Sequence, residues 1–293
     1  MNTEQILKQY NLDWNVVKKP LFYDGQVGNT FGVMNVEQKS TPYYALVRED
    51  TGEVFNSVSK AYEPTQNYTI INTLQEIAGQ NDLVIVKAMA INGGRKIIVQ
   101  MRKPEGHKIS IGDEQTEQYV YAVNGHDGSS SLKFGFINKV ISCQNQFAWL
   151  SGNSFSGYRH TKSIQDKVKD LPKIINFTDQ EDKIIDLQYM SKTTASASLI
   201  NDLVDYLAKT DKELPISSRK ANIVRDLSAC IYTETNRISN TLWGVLNGVT
   251  LYTTHYKSTP NRDFGKEESI YTGSSSKMNN KAFDYLKSYV INN

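Results

Sequence analysis

Cysteine is scarce in this chain: only Cys143 and Cys230 are present, far apart in the sequence. A disulfide framework and a thiolate zinc site are therefore without support, and both residues read as buried free thiols. Long hydrophobic runs are missing as well. No stretch approaches the ~20 apolar residues of a membrane span, and Met1-Asn-Thr-Glu-Gln-Ile-Leu-Lys-Gln-Tyr has neither the basic segment nor the apolar stretch of a secretory signal. A cytoplasmic protein with no membrane partner is the expectation. Strong charge of either sign is also lacking: 33 lysines and arginines face 31 acids, for a net charge of +2, a milder imbalance than DNA-binding domains commonly show. The phosphate-loop, dinucleotide, nucleophile-elbow and His-Glu-x-x-His signatures are all absent, as are paired Cys-x-x-Cys motifs. Nucleotide-driven and zinc-dependent chemistries lose their usual marks, and no cofactor is expected.

What is present is ordinary globular material, with 39% hydrophobic and 22% charged residues over 293 positions, enough for one large domain or two closely packed ones. Thr3 to Tyr10 reads as a short helix with Thr3 as N-cap. An extended segment interrupted at Lys19-Pro20 follows. Tyr43–Arg48 and Glu53–Ser59 are β-type runs about a turn at Glu49-Asp-Thr-Gly. Helical spacing returns from Gln66 to Gly79. Two strands then flank Asn92-Gly-Gly, and more are expected at residues 107–111, 118–123 and 132–137. Beyond about Thr161 the pattern turns helical, over 182–190, 198–208, 218–249 and 279–289, with Thr259–Ser276 as a long polar loop. Trp243, Leu246, Val249 and Tyr252 form an apolar stripe suited to core packing. The fold class is α+β, a strand-rich antiparallel N-terminal half followed by a mainly helical C-terminal half. Residues 1–160 and 161–293 are the two expected regions, or parts of one single domain.

Charge is unevenly distributed. Arg95, Lys96, Arg102 and Lys103 lie between Lys87 and Lys108 against one acid, and Lys139, Arg159, Lys162, Lys167 and Lys169 lie between Lys133 and Lys173 against two. The middle of the chain is locally basic. Within it stands Asn124-Gly-His-Asp-Gly-Ser-Ser-Ser-Leu-Lys-Phe-Gly-Phe-Ile-Asn-Lys-Val-Ile-Ser-Cys-Gln-Asn-Gln-Phe-Ala-Trp. Gly125 and Gly128 permit positive φ, so the turn can expose His126 and Asp127 or aim backbone N–H groups at an anion, with Ser129 adding a donor. A hairpin that merely needs glycine and aspartate is the plain alternative.

This segment resembles the phage/plasmid-related proteins catalogued as domain of unknown function 932, in which a His-Asp-Gly-Ser turn precedes a strand ending in Cys-x-Asn. The matching residues are His126, Asp127, Gly128, Ser129, Cys143 and Asn145; Ile141 and Gln146 depart from the usual Val and Thr. Val58-Ser-Lys-Ala-Tyr-Glu-Pro-Thr-Gln-Asn, Arg159-His160-Thr161 and Leu242-Trp-Gly-Val-Leu-Asn-Gly-Val-Thr are further similar pieces. The resemblance implies a mobile-element context and carries no established activity. In outline, a strand-rich half with a basic face followed by helices is also similar to Rad52-like single-strand annealing proteins, an analogy of architecture.

Single-stranded DNA binding needs cations to replace phosphate counterions and aromatic or apolar groups to support bases. Arg102, Lys133, Lys139, Arg159 and Lys162 are the expected backbone contacts. Lys133 and Phe134 cannot share the groove side of a regular strand, so a buried aromatic face with solvated lysines is the alternative. The leading expectation is a non-enzymatic phage or mobile-element protein, a homo-oligomer binding single-stranded DNA without sequence preference in recombination or annealing. A metal-dependent enzyme centred on His126 and Asp127, with His160 and His255 as further imidazoles, is one alternative. A host-interaction or anti-defence protein is another.

Overall fold

The structure, a computed structural model, describes residues 1–30, 33–106, 108–128, 132–150, 178–210, 217–259 and 261–292. Its chain divides into two compact units that alternate along the sequence. The first holds Met1–Val99 and Ala122–Lys133; the second holds Gln100–Tyr121, Phe134–Ser154 and Asn176–Asn293. A boundary at residues 160 and 161 falls outside the described residues.

The first unit begins with helix α1 (Thr3–Gln9). Its N-cap is Asn2 and not Thr3: the Asn2 side chain accepts from Gln5 N, and the Gln5 side chain accepts from Asn2 N, each at 2.9 Å. This reciprocal box satisfies two donors that the first turn leaves open. Thr3 turns inward, its hydroxyl bonded to Gln75 of α2 (Asn67–Gln80). The apolar face of α2 is Ile70, Ile71, Leu74, Ile77 and Ala78, all buried, as the 3.6-residue period predicts.

Strands β1 (Val16–Thr30), β2 (Val33–Arg48) and β3 (Val54–Ser59) form an antiparallel sheet in that order. The β2–β3 hairpin turns where the sequence expects it, with Gly52 at φ 73°. Far longer than expected are β1 and β2, which pair from Val16–Arg48 to Thr30–Val33. Pro20 does not end β1, which is an edge strand, where proline is tolerated. A register shift follows between Pro20 and Phe22.

Strands β4 (Val84–Ile91), β5 (Lys96–Arg102), β6 (Lys108–Ile111), β7 (Glu114–Gly125), β8 (Lys133–Val140) and β9 (Gln146–Leu150) make a second sheet, ordered β4-β5-β7-β8-β9 with β6 also on β7. Asn92 and Gly93, at φ 53° and 70°, supply the left-handed turn between β4 and β5.

The helical part of the second unit comprises α3 (Thr178–Met190), α4 (Ala197–Ala208), α5 (Ser218–Arg237), α6 (Leu242–Leu251), α7 (Gly265–Tyr271) and α8 (Ser274–Asn292). Ser196, Ser217 and Thr241 cap α4, α5 and α6 through their side-chain oxygens. The single helix expected over 218–249 is two, because Thr241 starts a new one after Arg237. Residues 242–250 of α6 are all buried, so the stripe Trp243, Leu246, Val249 and Tyr252 packs in the core as read. Gly244 and Gly248 permit this: a Cβ on Gly248 would collide with the Ile231 backbone of α5, and one on Gly244 with Ser239 O. A π-helical turn, Tyr252–Tyr256, extends α6.

The expected loop at 259–276 instead contains α7 and the start of α8. Polar residues of the first turns of α8 cover the open edge of β9: Asn280 Nδ2 donates to Ala148 O at 3.0 Å, Asn279 Nδ2 to Gln146 O at 3.4 Å and Ser276 Oγ to Ala148 O at 3.5 Å. Side chains that look solvated in sequence thus satisfy an edge that would otherwise recruit another strand.

Candidate functional site

The Gly-His-Asp-Gly turn in the first unit is held from several sides, and its histidine points inward. His126 is fully buried. Its Nε2 lies 2.8 Å from Asn67 Oδ1, its Nδ1 faces the Asn124 amide at 3.5 Å, and its ring packs edge-on to Trp14 at 5.2 Å. Asn67 Nδ2 donates to Leu12 O at 3.0 Å and Trp14 O at 3.3 Å, which leaves Oδ1 to accept from the imidazole. Nε2 therefore carries the proton and Nδ1 is the acceptor. The His126 backbone N–H donates to Arg95 O at 2.7 Å. Asn56 Nδ2 donates to Asp127 O at 2.9 Å, and the Tyr62 hydroxyl reaches Gly125 O at 3.5 Å. Gly128 takes φ +73°, and a Cβ there would press on Val58 at 3.3 Å.

The exposed His126 expected from the turn is thus corrected. An imidazole matched to amides on both nitrogens is buried without an unmet polar group. Two segments singled out separately in the sequence, 58–67 and 124–128, are halves of one structural lock. Asp127 stays half-exposed, while Ser129 lies outside the described residues. Neither ring nitrogen of His126 is turned towards a metal site, and the described residues contain no group of three or more His, Cys, Asp or Glu placed to hold an ion. His255 is exposed, and His160 lies outside the described residues.

Of the five expected DNA contacts, Arg159 and Lys162 also lie outside the described residues. Arg102, half-buried, is engaged locally: Nη1 donates to Lys103 O and Pro104 O at 3.1 Å and pairs with Glu117 at 3.5 Å. Lys133 and Lys139 sit at opposite ends of β8, about 20 Å apart at the usual rise. They share a strand face with Gly135 and Ile137, as period two requires, but the stretch between them is buried. The Tyr121 ring lies over Gly135 so closely that a Cβ would clash. On the other face Phe136 packs on Trp149 and Phe147 stacks on Phe283, at 6.0 and 5.3 Å. The expected basic face of this strand is therefore two half-exposed ends flanking a covered centre.

A surface the sequence reading missed lies on the β1–β2 ribbon. Phe22, Tyr23 and Tyr43 are 53, 54 and 53% exposed. Tyr23 stands directly opposite Lys39, whose stem crosses Gly25 within 3.0 Å of where a Cβ would be. Lys19 is exposed nearby, and so are Asp24 and Glu37. The available signal was the run Lys18-Lys-Pro-Leu-Phe-Tyr opposite Gln38-Lys-Ser-Thr-Pro-Tyr, which has no alternation of apolar and polar residues and so cannot bury one face.

In the second unit the Cys-x-Asn piece forms the β8–β9 turn, with Gln144 at φ 60°. Asn145, buried, donates from Nδ2 to Asn247 O at 3.3 Å, and Arg237 braces the turn from α5. Its guanidinium meets Glu114 Oε1 at 2.7 Å, Glu234 Oε2 at 2.8 Å, Ser142 Oγ at 3.2 Å and Cys143 Sγ at 3.6 Å. Cys143 is half-exposed, correcting the expected burial; Cys230 is buried, and both are free thiols. Partial burial pushes the Cys143 thiol above its ordinary value, with the Arg237 guanidinium acting in the opposite direction.

The profile of a family described as a domain of unknown function (DUF932) matches residues 54–279. The chain belongs to this family. The DUF932 match contains the 58–67 segment, the His126 turn, the Cys143–Asn145 turn and α6, whereas the β1–β2 ribbon precedes it. No curated protein and no solved structure matches the chain. The His126 ring and the Arg237 guanidinium are both engaged by hydrogen bonds within the fold. No described helix is long and apolar enough to cross a membrane.

Proposed function

We propose that this DUF932 protein binds single-stranded DNA without sequence preference, as a cytoplasmic, homo-oligomeric DNA-metabolism protein of a phage or mobile element acting in recombination or strand annealing. The observation that carries the reading is the exposed aromatic set Phe22, Tyr23 and Tyr43 on the ribbon, with Tyr23 paired to Lys39 across the ladder. Folding leaves these rings half in water, at a cost that burial elsewhere would have removed. Every base has a π-face, so such rings bind single strands with little regard to sequence, and a neighbouring ammonium meets the phosphate. Asp24 and Glu37 keep the ribbon nearly neutral, so stacking rather than charge is its main contribution.

Fluorescence anisotropy with a labelled (dT)20 tests this. Phe22→Ala with Tyr23→Ala is expected to weaken binding by about 1–3 kcal/mol, the worth of one stacked base, because neighbouring strand residues lie on opposite faces of the ribbon and a strand on either face meets one of the two rings. Duplex DNA of the same length, whose bases are already stacked, is expected to bind less tightly. Unchanged affinity in the double variant, or no binding at low salt, would overturn the reading.

A further inference from the structure

The two ends of the larger sheet differ. The edge of β9 is bonded by side chains of α8, whereas β4, at the other end of the order, has no strand beyond it among the described residues. Beside the first residues of β4, within the first unit, lies a groove of about 410 Å3. Ile6 of α1 and its C-cap Tyr10 form one wall, Ala78 and Gly79 at the end of α2 form another, and Leu83 and Val84 line the strand side. None of the lining residues is Asp, Glu, Lys, Arg or His.

The Val86 carbonyl accepts from the Tyr10 hydroxyl at 3.1 Å and so faces α1 rather than β5. A residue of an antiparallel strand turns its N–H and C=O to the same side, and the side alternates along the strand. Val84, two residues back, therefore presents both groups to the groove, and its side chain is 39% exposed. Strand groups left open in this way pair with another extended backbone. Gly79 points to the same use. It lies in the last turn of α2 without a positive φ, and a Cβ there would meet nothing within 4 Å. Neither backbone conformation nor packing calls for glycine here, although glycine is a poor helix former. Its missing side chain keeps the wall of the groove low.

We propose that the groove takes an extended, largely apolar peptide segment of a partner protein, added to β4 as a further strand. The Val84 N–H and C=O supply main-chain hydrogen bonds, and the apolar walls take side chains that alternate along the segment. A second copy of this chain fits less well, because pairing through its own β4 would bring its α1 into the space that α1 already borders. The site does not rest on the ribbon reading.

The full chain is panned against displayed random seven-residue peptides, with the Gly79→Leu chain as a parallel target. The unaltered chain is expected to enrich sequences with apolar residues at alternate positions. Gly79→Leu, which fills the groove from an open helix position, is expected to enrich none while melting no lower and binding (dT)20 equally well. The most enriched peptide is then synthesised and its affinity measured by fluorescence anisotropy. Methylating the backbone nitrogens along one of its edges should weaken binding by roughly tenfold or more, the effect of a lost main-chain hydrogen bond, and methylating the other edge should not. Amide hydrogens at the start of β4 should exchange more slowly when the peptide is present. No enrichment by the unaltered chain, equal enrichment by both chains, or equal affinity for the two methylated forms overturns the proposal. A dimer that Gly79→Leu separates, without peptide enrichment, overturns it in favour of a second copy.

Discussion

At the scale of single residues, His126 is the clearest case of a side chain whose type was legible and whose role was not. Its proton on Nε2 and its bond to Asn67 make it an internal fastener. His126→Ala would leave Asn67 Oδ1 buried and unpaired, at a cost of about 1–3 kcal/mol, with a further cavity penalty beside Trp14. Urea denaturation is expected to show a lower midpoint at an unchanged slope, and (dT)20 binding by the folded variant should persist. Loss of binding without loss of stability would contradict the structural role. Cys143 gives a second test. Its thiol is raised by burial, so iodoacetamide alkylation at neutral pH should be slow and should climb to a plateau only beyond the ordinary thiol range. Cys230, pushed up to about 11, should lag behind it. A plateau for Cys143 at or below the usual thiol value would show that Arg237 outweighs burial.

At the scale of elements, α6 and the ribbon behave in opposite ways. The burial of α6 was readable from its stripe of Trp243, Leu246 and Val249, but the closeness of α5 was not, since it rests on two glycines facing the Ile231 and Ser239 backbones. Gly248→Ala is expected to destabilise by about 1–3 kcal/mol through overpacking, although alanine is the better helix former by ~1 kcal/mol. A more stable Gly248→Ala protein by thermal denaturation would refute the close approach. Around Phe22, Tyr23 and Lys39 the described residues of the ribbon are exposed. Excising residues 22–40 in favour of a two-residue Asn-Gly turn should leave the melting temperature within about 3 °C, because a two-stranded ribbon contributes little independent stability, while (dT)20 binding is lost. The strand pattern of the sequence located the end of β2 at Tyr43–Arg48 and missed the rest. Its stretch Glu37-Gln-Lys-Ser-Thr-Pro42 holds no alternation of apolar and polar residues, so no period-two signal marks it.

At the scale of the whole chain, composition and periodicity determined the class: antiparallel strands first, helices after, with no cofactor motif and with a family resemblance on His126, Gly128, Cys143 and Asn145. Those properties are local, and a 3.6- or 2-residue period is written along the chain itself. What tertiary structure alone decided is which polar side chains meet. Asn67 and His126 are 59 residues apart in sequence, and Asn280 and Ala148 are 132 apart. The same is true of the basic residues. Lys133 and Lys139 looked like a stripe in sequence and flank a covered strand centre in the fold. Burial and charge depend on neighbours that arrive from distant segments, and no local pattern encodes those distances.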